Sequence, residues 1–208
     1  YLPSIAVEKI RTEIDPAMIA VRDVAIKTLD VQMRADQATK IKYASKFASV
    51  ANYWKKWRGE VEGLTKSNAV GKKQEYEKTL IAKNPAIKTT LDRFNVLYTE
   101  QAPYALNRAY YSEVIRNSET LSLASSYLQY LALAESGKLT EQTKANFVSR
   151  LSNTYKNYDA QLDAKVTAKV LALYASKMDA KFLPSGFEAF KDETSNLATI
   201  ESFSKNSI

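Results

Sequence analysis

The chain has 208 residues, with 30 basic and 23 acidic side chains, a formal charge of +7, no cysteine and no histidine. Without cysteine there is neither a disulfide framework nor a thiolate nucleophile. Without histidine the usual general base, the commonest metal ligand and any Ser-His-Asp arrangement are excluded.

Only five glycines and five prolines interrupt a sequence rich in alanine, lysine, leucine and tyrosine, which favours helix throughout. "DPAM" offers Asp15 as an N-cap and Pro16 at the first helical position. Met18, Val21, Ala25, Leu29 and Met33 then carry an apolar stripe to about Ala35. Asp36 caps the next helix, whose stripe Tyr43, Phe47, Val50, Trp54, Trp57, Val61 and Leu64 alternates steps of four and three. Ala44, Ala48 and Ala51 form a second stripe, expected to admit a close neighbouring helix.

A more polar helix begins at Ser67 and Asn68, and Asn84-Pro85 repeats the cap signal ahead of Leu91, Phe94, Leu97 and Tyr98. Pro103 either kinks that helix or starts another, which ends near Asn117. Ser118 and Glu119 open "TLSLASSYLQYLALAESG", apolar around much of its axis and therefore expected to be central and buried, with Gly137 as its stop. Residues 139–178 read as one long helix or two in line, closed by "LPSGF". The expectation is all-α: a bundle of several long antiparallel helices forming one domain over 1–208, with 1–14 and 184–208 as connecting segments.

Catalytic chemistry finds no foothold in these residues. A di-metal bundle needs Glu-x-x-His pairs. "GLTKSNAVGKK" has the wrong spacing for a phosphate loop and no strand before it. Ser185 has no base to activate it. No catalytic residue, metal ligand or cofactor is therefore assigned. No apolar run is long enough to span a membrane, and acidic side chains are interspersed with the basic ones, so the charge argues solubility before nucleic-acid binding. The opening Tyr1 and the close on "SFSKNSI" read as a segment of something longer.

"SVANYWKKWRGE", residues 49–60, holds both tryptophans. Trp54 and Trp57 fall on the core stripe. Asn52 falls on the opposite face, in line with Ser45, Ser49 and Lys56, and is either an exposed polar residue or a group presented to whatever that face meets. "IKYASKFASVANYWKKWRGEVEGL", together with "QAPYALNRAYY" and "QYLALAESG", closely resembles the helical domain of bacterial serine dipeptidyl-peptidases of the dipeptidyl-peptidase 7 and 11 type.

That resemblance, not the spacing, implies a cap over the active-site cleft of a parent enzyme. The parent's double β-barrel would carry the triad, and the parent would be periplasmic or exported and a homodimer. It also implies that Asn52 holds the free amino terminus of a peptide substrate, supported by Trp54, Trp57 and Tyr53 on the same helix. Partners are then the peptide and the barrels of the same parent chain, without nucleic acid or membrane. The remaining alternatives are a helical interaction module and a basic nucleic-acid-binding domain.

Overall fold

Helix starts at Ser4 and does not stop for "DPAM". In the computed structural model, which describes residues 1–187, 190 and 192–206, α1 (Ser4–Lys9) runs through a π-helical stretch (Ile10–Ile14) directly into α2 (Asp15–Ala35). The expected N-cap at Asp15 is not formed. Its backbone is already helical and its side chain makes no capping bond. The wider π turn lies where Pro16 has no N–H to offer the preceding helix. Residues 4–14, expected as a connection, thus extend the first long helix, with Ala6 and Val7 buried.

Asp36 caps α3 (Gln37–Lys66), accepting from the N–H groups of Ala38 and Thr39. Asn68, in the left-handed region at φ 48°, turns the chain into α4 (Ala69–Lys83). Asn84 accepts from the N–H of Ala86 ahead of α5 (Ile87–Asn117), which runs unbroken through Pro103. Then come α6 (Glu119–Glu135), ended at Gly137 with φ 67°, and α7 (Glu141–Asn157). The 139–178 segment is two helices. Asp159 accepts from the N–H of Leu162 and starts α8 (Ala160–Lys177). After a short 3-10 turn (Ala180–Phe182), α9 (Glu193–Asn206) packs on α8. Of the expected 184–208 connection, residues 188, 189, 191, 207 and 208 lie outside the described residues.

The core is built by α2, α8 and the C-terminal half of α5, with Val21, Leu29, Val166, Val170 and Tyr174 fully enclosed. Each such aliphatic side chain contributes about 1.5–3 kcal/mol through its removal from water. α3 lays Tyr43, Val50 and Trp57 against this core.

Two expectations fail on packing. Ala44 and Ala48 are exposed, because α2 and its π extension contact the other side of α3. α6 has no buried residue, with Tyr127 48% and Leu128 65% exposed, because it meets only α5 and α7 extensively. Among the described residues no helix is long and apolar enough to cross a membrane.

Candidate functional site

Between α2, α3, the end of α5, α6 and α7 lies a cleft of about 600 Å³. Its floor is an ionic and aromatic cluster organised by Arg22. The Arg22 Nε donates to Glu113 Oε2 at 2.7 Å, and both side chains are almost wholly buried. The guanidinium lies over two rings of α3, 4.7 Å from the centroid of Trp57 and 4.9 Å from that of Tyr53. Asn117 Nδ2 donates to the backbone oxygen of Glu113 at 2.8 Å and to Glu113 Oε2 at 3.3 Å. A buried charge pair of this kind tolerates desolvation only when hydrogen bonds and cation–π contacts surround it. Glu113 Oε1 and Asn117 Oδ1 are buried without a hydrogen-bond partner.

Beside this cluster, Tyr43 ties three elements together. Its hydroxyl donates to Glu119 Oε2 at 2.9 Å and accepts from the N–H of Asp159 at 3.0 Å. Burial and the neighbouring Glu119 charge push its phenol well above the ordinary range. Burial also raises the Glu119 carboxyl, and Lys46, 3.3 Å away, partly offsets this. The first turn of α6 is anchored from behind. Asp163 accepts from the N–H groups of Glu119 and Thr120 at 2.7 and 2.9 Å, placing a carboxylate at the positive end of the helix.

The residues singled out on α3 spread over three surroundings. Trp57 is buried at 7% exposure and stacks with Arg22. Tyr53 is 47% exposed, tilted against Trp57 at 5.7 Å, and reaches the cleft wall. Trp54 is partly buried. Arg58 sits 4.5 Å over its ring, and its Nε1 is enclosed without a hydrogen-bond partner. Asn52 is exposed. Ser45 and Ser49 of the same stripe line the cleft, whereas Asn52 lies one turn beyond its lining.

Lys56, one turn further, acts electrostatically on Asp15, which is 3% exposed. Burial, reinforced by the charge of Glu60 and opposed by Lys56, pushes the Asp15 carboxyl up to about 6. Among the described residues there is no group of three or more acidic, histidine or cysteine side chains placed to hold a metal.

Arg22, Glu113 and Asn117 are not among the residues that the sequence singled out. A signal existed: Tyr110, Glu113, Val114 and Asn117 stand at core spacing on α5, so two polar residues share an apolar face. Their partner Arg22 could not be found this way, because nothing along the chain pairs it with a residue 91 positions away.

Comparison with known proteins converges on one family. A family model described as Peptidase S46 matches residues 1–207. An Asp/Glu-specific dipeptidyl-peptidase of Flavobacterium psychrophilum is 42% identical over 193 residues, 88% of this chain and 27% of that protein. Another Asp/Glu-specific dipeptidyl-peptidase, from Capnocytophaga gingivalis, is 41% identical over 91% of this chain and 28% of its own length. Dipeptidyl-peptidase 7 of Porphyromonas gingivalis is 32% identical over 95% of this chain and 28% of its own. The chain therefore spans little more than a quarter of the length of the curated relatives it matches.

Proposed function

The chain belongs to the peptidase S46 family, and from that premise we propose that it is the helical cap of a serine-type dipeptidyl-peptidase. In this reading it covers the active-site cleft and helps bind the free amino terminus of peptide substrates. The observation that carries the reading is the match of a strand-free helical segment, as far as it is described, to about a quarter of several dipeptidyl-peptidases. The triad then belongs to the rest of the parent. A chain without histidine supplies neither the base for acylation nor the acid for the leaving group.

Releasing dipeptides requires counting two residues from an ammonium. That group offers only donors, so the closed end of the cleft must present oxygen acceptors on a rigid support. Asn52 meets the requirement. It is exposed on a helix fixed by Trp57, Tyr43 and Val50, and it is not consumed by the core. Its partners are the peptide and the parent's double β-barrel, and the parent is an exported or periplasmic homodimer. The relatives at 42% and 41% identity favour a parent that cuts after acidic residues over one of the dipeptidyl-peptidase 7 kind.

The test uses the complete parent enzyme and a dipeptidyl substrate with Glu at the second position, free or acetylated at its amino terminus. The free substrate should be released as a dipeptide and the acetylated one should be left intact. Equal cleavage of both would overturn the reading.

A further inference from the structure

The cleft has the wrong sign for an ammonium. Five cationic side chains line it, Arg22, Lys42, Lys46, Arg116 and Arg150, against the single carboxylate of Glu119. Arg22 is engaged by Glu113 and Lys46 faces Glu119. Arg116 is loosely paired with Glu113 at 3.8 Å, whereas among the described residues Lys42 and Arg150 have no carboxylate within 4 Å. Arg150 instead donates to the hydroxyl of Ser122 at 2.8 Å, a neutral contact that leaves its charge available. A concave surface with this excess of one sign focuses its potential on whatever enters.

The second feature is what continues from the cationic end. A shallower depression shares Glu119, Arg150, Asn153 and Thr154 with the cleft and runs on along α7 to Ser149 and Asn146. Asn146, Ser149, Asn153 and Thr154 lie at helical spacing on one face. Thr154 donates to the backbone oxygen of Arg150 and Asn146 Oδ1 accepts from Gln142. That leaves the Asn146 and Asn153 amide N–H groups and the Ser149 hydroxyl to pair with a peptide backbone. A phosphate ion would need only the cationic end. A single-stranded nucleic acid would need free aromatic faces for its bases. Of the two rings in the cleft wall, Tyr43 is buried with its hydroxyl bonded at both ends. Only the half-exposed Tyr53, which also packs on Arg22 and Trp57, could meet a base, too few for a run of stacked nucleotides.

We infer that this cleft is a binding groove for an acidic peptide segment, with Lys42 and Arg150 meeting its carboxylates and the polar face of α7 meeting its backbone. The groove is separate from the ammonium contact proposed for Asn52. It gives the domain a second hold on a polypeptide, selective for negative charge. It does not depend on peptidase activity, so it can fail or stand without the cap reading.

The experiment is fluorescence anisotropy on this 208-residue chain with a labelled, end-capped tetraglutamate and the matching tetraglutamine. The glutamate peptide should bind at least about tenfold tighter, with affinity falling as salt rises. Arg150→Ala and Lys42→Ala change exposed side chains, so the fold should persist. Each should weaken the glutamate peptide about three- to tenfold, and the double variant should weaken it further. Lys88→Ala, which removes a remote cation paired with Asp92, should change nothing. Equal binding of the two peptides would overturn the assignment. So would losses at Arg150 no larger than at Lys88, competition by inorganic phosphate at the peptide's own concentration, or tighter binding of an oligouridine RNA.

Discussion

α8 and α6 are nearly equal in length, 18 and 17 residues, and both are rich in leucine and alanine. Ten residues of α8 are buried and none of α6, although α6 has the more continuously apolar sequence. The difference lies in their neighbours. α8 is enclosed by α2, α5 and α9, whereas α6 lies outside, packed along its length on α5 and α7 and touched by α3 and α8 only at its first turn. α8 even buries Asp163 and Thr167, because each has a partner: Asp163 takes the N–H groups of Glu119 and Thr120, and the Thr167 hydroxyl donates to Ser118. Apolar composition thus marks what a helix could bury, and topology decides what it does bury.

The strongest way to break this contrast is at the buried ion pair between α2 and α5. Arg22→Ala leaves Glu113 charged, buried and without its 2.7 Å donor. Chemical denaturation should show a loss of about 3–5 kcal/mol, well beyond the cost of a substitution on an exposed helix face. A loss below about 1 kcal/mol would mean that water reaches Glu113 and that this centre is not closed.

Asp15 sharpens the contrast from the opposite direction. An acid whose folded value lies at about 6, against an ordinary 3.8, is bound more tightly by protons in the folded state. Its stabilising share is therefore fully present below about pH 4 and lost as pH rises through 6. Asp15→Asn should be neutral at pH 4 and stabilising at pH 7, by at most about 3 kcal/mol. Denaturation of the two forms across that interval reads the difference directly. Parallel curves would show that Asp15 is solvated.

The smallest effect is expected on α6. Leu128→Ser removes an apolar side chain that is 65% exposed, and the stability should change by less than about 0.5 kcal/mol. A loss of about 2 kcal/mol would place α6 in the core, as its composition suggested.

The long helices were legible because their caps and stripes are local. Asp36, Asn84, Ser118 and Gly137 each stand within a few residues of a helix boundary. The failures share a cause. At Asp15 a strong start signal sits inside a helix already under way, a π turn being invisible to periodicity. At α6 an apolar sequence has no partner to enclose it. Arg22 and Glu113, 91 residues apart, meet only once the fold exists. Of the candidate site, the pattern on α3 separated Trp57 from Asn52 correctly as buried and exposed. It did not show that Tyr53 is half-exposed while flanking the Arg22 centre, nor that a cationic cleft opens beside it.

Asn52 belongs to neither side of the contrast, being polar, exposed and on a helix that the core holds still. The decisive measurement is kcat/KM of the complete parent enzyme on one free-amino dipeptidyl substrate, for the unaltered protein, Asn52→Ala and Asn52→Asp, beside thermal melts of the same forms. If Asn52 holds the substrate ammonium, the melts should be unchanged and alanine should lose roughly 10- to 150-fold in kcat/KM, as expected for a hydrogen bond to a charged group. Aspartate keeps an acceptor and should lose less. An alanine form within about threefold of the unaltered enzyme would contradict the assignment and leave Asn52 an ordinary surface residue.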